Sequence, residues 1–302
     1  MIKTIDTYIT QSLGEYLKYN TMSKLEAFKT VTGELYPYQT NIKTSPSGAL
    51  LNALGSVYSS WAYDNSINSV VVPTGLAGFP AAQPDYRHGR FLLTSGAAPT
   101  GLSATFTVPD FNVYLTSSPE SKLIFETDFG QAPDYSVPAK YADPSSVYAP
   151  CIWVKSYQTE LNELCLGGGT NSEFIYKIIV FARSESQLLG VQSIIRDSKQ
   201  CIFPILRYPV LDQLNNLQFS SWTYPNAAES EDEYCLITDT TCKISENDLF
   251  VTKNPALYIL IGNIEVSYFG HARQGPPNLD LTLLQYQNGK VAQMKQGPAI
   301  EL

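Results

Sequence analysis

The clearest pattern of apolar and polar positions lies between residues 174 and 206. The nine residues 174–182 are rich in β-branched and aromatic side chains, and so short an apolar run predicts a buried strand. Ser184 follows with Gln187 three positions later, which is the spacing of a capping box at a helix start. Apolar residues then recur at helical spacing, which predicts a helix to about Lys199.

A second strand is predicted at residues 201–206, where Pro204 is tolerated only at a sheet edge or a bulge. The resulting strand–helix–strand unit is the best-defined fold signal in the chain. It carries no pattern of catalytic residues.

The N-terminal part predicts three helices. Isoleucine, leucine and tyrosine recur every three or four positions in residues 2–18, as on one face of a helix. Ser23 and Glu26 have capping-box spacing and predict a short helix to about Phe28. The pair Ser45-Pro46 favours a helix start, and apolar positions then predict a helix over 48–61.

Turn residues and short apolar runs dominate the rest of the chain and predict strands. These strands are expected at residues 70–73, 90–93, 103–108, 111–115, 122–127, 151–154, 234–237 and 256–268. Residues 129–150 predict a long ordered loop, and residues 212–217 a short helical turn.

These elements predict an α+β protein with four parts. Residues 1–65 form an N-terminal helical segment that packs with the core, and residues 66–146 a β-rich, sandwich-like insertion. Residues 147–270 form an α/β core domain around the strand–helix–strand unit. Residues 271–302 are rich in Gly-Pro pairs and are expected to be an extended C-terminal arm that lies on a neighbour.

Composition and charge narrow the function classes. The formal net charge of the 302 residues is −8, which argues against nucleic-acid binding as the main task and suits docking onto a basic surface. Uninterrupted apolar runs stay well below the roughly 18 residues of a membrane span. The five cysteines are odd in number and form no Cys-x-x-Cys pair, which predicts reduced thiols and assembly in a cytoplasm.

Few residues offer catalytic chemistry. The chain has two histidines, His88 and His271, and nucleophilic catalysis would need one of them beside a partner that the sequence does not identify. Residues 85–90 concentrate charge before a strand, where an anion site competes with the more ordinary turn of solvent-facing charges. The run Gly167–Thr170 lacks the Gly-Lys-Ser/Thr of a phosphate loop and precedes a strand, which favours a hairpin turn.

Two further features have a binding interpretation and a plainer one. The acidic run Glu229–Glu233 could hold calcium, but it lacks the alternating oxygen-ligand spacing, and a solvated charge run is the default. Trp61, Trp153 and Trp222 could form a sugar-binding platform, while core and interface packing explains them equally well. No catalytic, cofactor-binding or metal-ligating residue is therefore assigned, no cofactor is expected, and an enzyme is not predicted.

Three segments carry a family resemblance: residues 85–91 with the sequence DYRHGRF, residues 101–106 and residues 110–114. This order of an aspartate, Gly-Arg-Phe, a turn and a β-hairpin resembles virion proteins of tailed, myovirus-like bacteriophages. The strand–helix–strand unit behind Ser184 is similar to the α/β core of tail terminator and neck proteins, and residues 2–18 would correspond to their first helix.

The resemblance implies a structural virion protein at the head–tail junction, a neck or tail-terminator protein that forms a multi-copy ring. Its implied partners are further copies of itself and the connector, tail tube or sheath, with DNA passing through the ring at most and no membrane contact. Its implied location is the virion, after assembly in the host cytoplasm. A capsid-surface or baseplate subunit is the nearest alternative, and a carbohydrate-binding module for a host surface is the alternative of another class. An enzyme built around His88 is a third.

Overall fold

The structure is a computed structural model. The residues it describes are 4–24, 28–43, 50–56, 60–63, 70–71, 83–93, 101–109, 111–127, 150–163, 169–212, 214–219, 222–230, 233–245, 258–271, 285–287, 291–293 and 300–301.

The described residues form a mixed α+β fold in which strands predominate. The helices are α1 (Ile5–Lys24), α2 (Glu120–Phe125), α3 (Glu185–Asp197) and α4 (Tyr224–Ser230). The strands are β1 (Phe28–Lys43), β2 (Leu50–Gly55), β3 (Val70–Val71), β4 (Gln83–Asp85), β5 (Arg90–Leu93), β6 (Leu102–Pro109), β7 (Asn112–Leu115), β8 (Cys151–Glu163), β9 (Gly169–Ala182), β10 (Ile202–Pro204), β11 (Tyr234–Ser245), β12 (Tyr258–His271), β13 (Gln285–Gln287), β14 (Val291–Gln293) and β15 (Ile300–Glu301).

The strands form two six-stranded sheets and one small sheet. The first has the order β3-β6-β1-β2-β5-β4, and every neighbouring pair is antiparallel. The second has the order β10-β11-β12-β9-β8-β7, in which only β7 and β8 run parallel. The small sheet consists of β13, β14 and β15.

Several sequence predictions are confirmed. Strand β5 spans the expected residues 90–93, β6 extends one residue beyond the expected strand at each end, and β7 begins one residue later than expected. The β-hairpin expected from the segments 101–106 and 110–114 is wrong, because β6 pairs in the first sheet and β7 in the second. The Oγ atom of Ser184 accepts a hydrogen bond from the backbone N–H of Gln187, so the predicted cap begins α3. The backbone N–H of Arg183 in turn donates to Oε1 of Gln187. The local signals were sufficient here because capping and turn chemistry act between residues close in sequence.

Two helix predictions in the N-terminal part are wrong. Residues 23 and 24 end α1, and Phe28 already begins β1, so the short helix at 23–28 does not form. The helix expected over 48–61 is replaced by β2, which lies between β1 and β5. In β2 the adjacent residues Ala53 and Leu54 are both fully buried, because apolar side chains cover both faces of the strand. A strand buried on both faces shows no alternation, and its pattern can match a helix.

The strand predicted at residues 122–127 is also wrong, because residues 120–125 form helix α2. Leu123 and Ile124 pack beneath the second sheet in one apolar cluster. The carbonyl of Pro119 accepts hydrogen bonds from the N–H groups of Lys122 and Leu123. A proline beside an acidic first turn was the missed helix-start signal. A helical turn was expected at residues 212–217; the residues described there, 212 and 214–217, contain no helix, and Leu211 and Leu217 form an antiparallel bridge.

The strand–helix–strand unit forms in the expected order, but its two strands are not neighbours. Strand β10 lies at the edge of the second sheet, and β11 and β12 separate it from β9. Three successive antiparallel pairings also make β10 antiparallel to β9. This arrangement does not support the expected likeness to the α/β core of tail terminators. The expected edge position of Pro204 is confirmed.

The largest apolar core lies between the second sheet and helices α1 and α3. Ile9, Leu13 and Leu17 of α1 are fully buried there, which confirms the predicted amphipathic N-terminal helix. A second core fills the first sheet around Trp61, whose ring packs against those of Phe91 and Phe106. The partly buried residues Tyr63 and Leu217 pack against both cores and thus connect them.

The proposed division into four domains remains a prediction, but the strands cross its boundaries. Residues 28–43 and 50–55, which lie in the segment 1–65 expected to be built from helices, form β1 and β2 of the first sheet. Strand β7, expected in the insertion, belongs to the second sheet. The expected extended arm at 271–302 contains the three strands of the small sheet. These strands pair antiparallel, so the chain folds back on itself there instead of running as one extended arm. The expected loop at 129–150 lies outside the described residues apart from residue 150.

Candidate functional site

The charged segment at residues 85–90 folds into a compact internal network. Asp85 ends β4, a single 3₁₀ turn spans Tyr86–His88, and Gly89 adopts φ 57°, the left-handed conformation that glycine tolerates best. The chain thereby reverses so that both carboxylate oxygens of Asp85 lie 2.9–3.0 Å from Nδ1 of His88. The Nε atom of Arg90 donates to Oδ2 of Asp85 over 2.8 Å.

Asp85 is almost completely buried, whereas the side chain of His88 is 28% exposed. Burial alone would raise the pKa of the Asp85 carboxyl. The hydrogen bond from His88 and the charges of His88 and Arg90 outweigh that effect and hold the pKa below its usual value. The carboxylate therefore stays ionised and compensates the two basic groups. The segment is a turn, as the sequence suggested, and Arg87 faces solvent, but the other three charged residues form an internal network.

An aspartate that binds Nδ1 of a histidine can orient the imidazole as a general base, provided that a nucleophile lies within reach of the other nitrogen. The nearby hydroxyl of Ser56 is already engaged, since it donates to the Gly89 carbonyl and accepts from Nε1 of Trp61. Among the described residues, no hydroxyl or thiol forms a hydrogen bond with His88. The geometry is that of an ion-pair network that fixes the β4–β5 connection.

A second polar cluster joins α1 to the segment 60–63. Lys18 Nζ lies 3.0 Å from Oε1 of Glu15 and 2.9 Å from the hydroxyl of Tyr63, and that hydroxyl donates to the other carboxylate oxygen of Glu15. Glu15 is nine-tenths buried. The backbone N–H of Ala62 donates to the carbonyl of Thr107 in the first sheet, so this cluster ties α1 to both sheets. Sequence analysis missed it because Tyr63 is 48 residues from Glu15.

Aromatic residues surround this cluster. The rings of Tyr19 and Tyr224 stack at 4.6 Å, and the rings of Tyr63 and Trp222 lie 5.9 Å apart. Burial raises the pKa of the Tyr16 hydroxyl on the same helix. The rings of Tyr19 and Tyr63 pack against Tyr224 at the start of α4 and against Trp222 before it, and the raised pKa keeps the Tyr16 hydroxyl uncharged at neutral pH.

The described cysteines are free thiols, as expected: Cys151, Cys201, Cys235 and Cys242. Burial raises the pKa of the Cys151 and Cys235 thiols, and it raises that of Cys242 to about 11. A thiol must ionise to act as a nucleophile or a metal ligand, so these three are poorly suited to either role at neutral pH.

The acidic run 229–233 is divided between structural roles. Residues 229 and 230 end α4, and the carboxylate of Glu233 binds Arg207 with N–O distances of 2.6–3.1 Å. Residues 231 and 232 lie outside the described part of the chain. No group of three or more potential metal ligands occurs within the described residues.

Two of the three tryptophans are buried, and the third is partly buried. Trp61 and Trp222 are buried, and Trp153 packs against Tyr114 with ring centroids 4.8 Å apart. They do not form the exposed platform that stacking on a sugar requires. Near the hairpin turn expected at Gly167–Thr170, β8 and β9 pair antiparallel up to Glu163 and Thr170, as a hairpin requires. Gly169 and Thr170 already belong to β9, and residues 164–168 lie outside the described part.

Of the helices that the structure describes, none combines the length and apolar character needed to cross a membrane. A scan against models of known protein families and a search of curated proteins both found no match to this chain.

Proposed function

We propose that this chain is a structural subunit of a tailed-phage virion, located at the head–tail junction as a neck or tail-terminator protein. It would form a multi-copy ring through protein–protein contacts with copies of itself and with the connector, tail tube or sheath. The proposal rests first on the sequence resemblance at residues 85–91, 101–106 and 110–114.

The observation that best supports a structural role is how the buried polar groups are used. The carboxylate of Asp85 is committed to His88 and Arg90, and that of Glu15 to Lys18 and Tyr63. The first network holds the connection between β4 and β5, and the second joins α1 to the segment 60–63. Such fully satisfied networks fix one conformation, which an assembly subunit needs.

Exposed apolar side chains supply surface for subunit contacts. Leu115 lies on β7 at one edge of the second sheet and is 46% exposed, and Ile202 lies on β10 at the other edge and is 63% exposed. Apolar groups at accessible edges are typical of surfaces that pack against a neighbour. A capsid-surface or baseplate position would use the same surfaces, so the proposed position rests on the sequence resemblance alone.

The test is immunogold electron microscopy of phage particles that carry the gene, with mass spectrometry of the purified particles as an independent measure. Peptides from this chain and gold label at the head–tail junction are the expected result. Label on the capsid or the tail tip would reassign the position within the virion. Particles without peptides or label would reject the structural role and favour the carbohydrate-binding alternative, which glycan-array binding then tests.

A further inference from the structure

The four edge strands of the two large sheets differ in how well they are protected. Strand β4 contains Pro84 and β10 contains Pro204, and a proline offers no N–H group to an added strand. The next outward N–H group beyond β10, that of Leu206, is bound by Oγ of Ser12 over 2.8 Å. The described part of β3 is only two residues long.

Strand β7 lacks such protection. The N–H of Asn112 binds the carbonyl of Pro150, and the N–H of Thr116 binds that of Val154. Even-numbered residues therefore face β8, and the N–H and C=O groups of Val113 and Leu115 point away from the sheet. In the part of the chain that the structure describes, no hydrogen bond reaches these four groups.

The side chains of this edge also lack the usual defences against pairing. Residues 111–118 contain no charged residue and no proline, whereas exposed edges normally carry lysine, proline or a bulge. Leu115 is 46% exposed. An uncharged edge with unused backbone groups is a template for a further strand.

The geometry points to a second copy of this chain as the occupant, with β7 pairing antiparallel to β7 of the other copy about a two-fold axis at Tyr114. In this register Val113 lies opposite Leu115 of the second copy and Leu115 opposite Val113. Each of these pairs exchanges two hydrogen bonds, so all four outward groups are satisfied. The same edge serves both copies, as a two-fold contact requires.

Pairing between a β7 edge and a β10 edge is disfavoured because Pro204 and Ser12 close the latter. The β7–β7 pair brings no like charges together, since its residues are uncharged. It would join the two second sheets of the dimer into one continuous sheet.

Cysteine cross-linking tests the register. In the predicted pair, residue 114 lies opposite itself at a non-hydrogen-bonded position with a Cα separation of about 4.5 Å, which a disulfide can span. We expect Tyr114→Cys to form a cross-linked dimer under mild oxidation. Residue 117 is three positions from the axis, so its two copies lie roughly 20 Å apart. The matched variant Ser117→Cys and the wild-type chain should stay uncross-linked.

Sedimentation equilibrium tests the dimer itself. We expect a wild-type dimer whose dissociation constant rises at least about tenfold in Leu115→Lys, because a lysine at an edge opposes strand addition. Leu189→Lys on α3 is the matched control, since Leu189 is 47% exposed, and it should leave the constant unchanged. Circular dichroism verifies that both variants fold.

A wild-type chain that stays monomeric at hundreds of micromolar would overturn the inference. So would a dimer that Leu115→Lys does not weaken, or one in which Ser117→Cys cross-links as well as Tyr114→Cys. These measurements use the isolated protein, so their outcome does not depend on the proposed place in a virion.

Discussion

At the residue scale, the position of Asp85 shows why an ionised carboxylate can lie in the interior of this protein. The side chain is 2% exposed, and transfer of a lone charge to such a site would be strongly unfavourable. His88 and Arg90 compensate it directly, and the turn between β4 and β5 brings all three residues together. The network therefore depends on each of its members.

The variant Asp85→Asn should lower the free energy of unfolding by about 3 kcal/mol at neutral pH, because it leaves the largely buried guanidinium of Arg90 without its counter-charge. Urea unfolding followed by circular dichroism measures the loss. Asp239→Asn is the control, since the pair of Asp239 with Lys199 is exposed and its removal should hardly change the urea midpoint. Equal effects of the two variants would contradict this account of Asp85.

The stability difference between the wild-type chain and Asp85→Asn should depend on pH. The pKa of Asp85 is lower in the folded chain than its usual value of about 3.9. The ionised Asp85 carboxylate therefore contributes fully to stability above about pH 4. This contribution is lost as the pH falls through the pKa that the carboxyl has in the folded chain. The difference in unfolding free energy between wild type and Asp85→Asn should shrink in that acidic range. A constant difference from pH 6 to pH 2 would refute the lowered pKa.

At the scale of elements, strand β12 approaches its neighbour β11 so closely at Gly262 that a side chain has no room there. Gly262 pairs with Cys242 of β11, and a Cβ atom at position 262 would lie 2.2 Å from the backbone carbonyl oxygen of Thr241. No side chain can move aside to relieve that contact, because the obstacle is backbone. The sequence does not indicate the close approach, since Gly262 lies within an otherwise ordinary apolar strand.

We therefore expect Gly262→Ala to destabilise the protein by about 2 kcal/mol, since the added methyl group must push β11 and β12 apart. Thermal unfolding monitored by circular dichroism would record the change. Asn263→Ala, one residue further along β12, is the control for a small substitution in the same strand and should cost clearly less. Gly262→Ala with wild-type stability would mean that the two strands can separate locally at no cost.

At the scale of the whole molecule, the two large sheets are connected through a small number of side chains. Tyr63 packs against both apolar cores, and its hydroxyl reaches Glu15 on α1. Helix α1 itself packs on the second sheet, whereas Ala62 hydrogen-bonds to Thr107 in the first. The hydrogen bond between Tyr63 and Glu15 therefore links α1 on the second sheet to the segment 60–63, which is bound to the first sheet.

A double-mutant cycle with Glu15→Gln and Tyr63→Phe tests that link. We expect a coupling free energy of about 1–2 kcal/mol, because the two groups share one partly buried hydrogen bond to a carboxylate. Equilibrium urea unfolding of the four proteins provides the values. The pair Thr32 and Thr105, whose hydroxyls meet on an exposed part of the first sheet, is a matched control and should show much weaker coupling. Additive effects at Glu15 and Tyr63 would show that the link does not stabilise the fold.

Local sequence signals determined the elements whose causes are local. The cap at Ser184, the helix behind it and the apolar face of α1 follow from spacings of three or four residues. The run before Ser184 is a strand because its β-branched and aromatic residues favour one. The signals failed at β2 and α2, where burial on both faces or beneath a sheet hides the usual periodicity.

Only the tertiary structure decided which elements meet. Hydrogen bonding between distant strands placed β11 and β12 between β9 and β10, and no periodicity along the chain contains that order. The contact of Glu15 with Tyr63 likewise arises from the packing of α1 on the sheets. The sequence alone marked Asp85, His88 and Arg90 as a concentration of charge, while the turn at Gly89 and the burial of Asp85 made them one network. The physical reason is that the spacing of residues along the chain determines the hydrogen bonds and the apolar face within one helix or strand. Burial, in contrast, depends on which distant elements pack against that helix or strand.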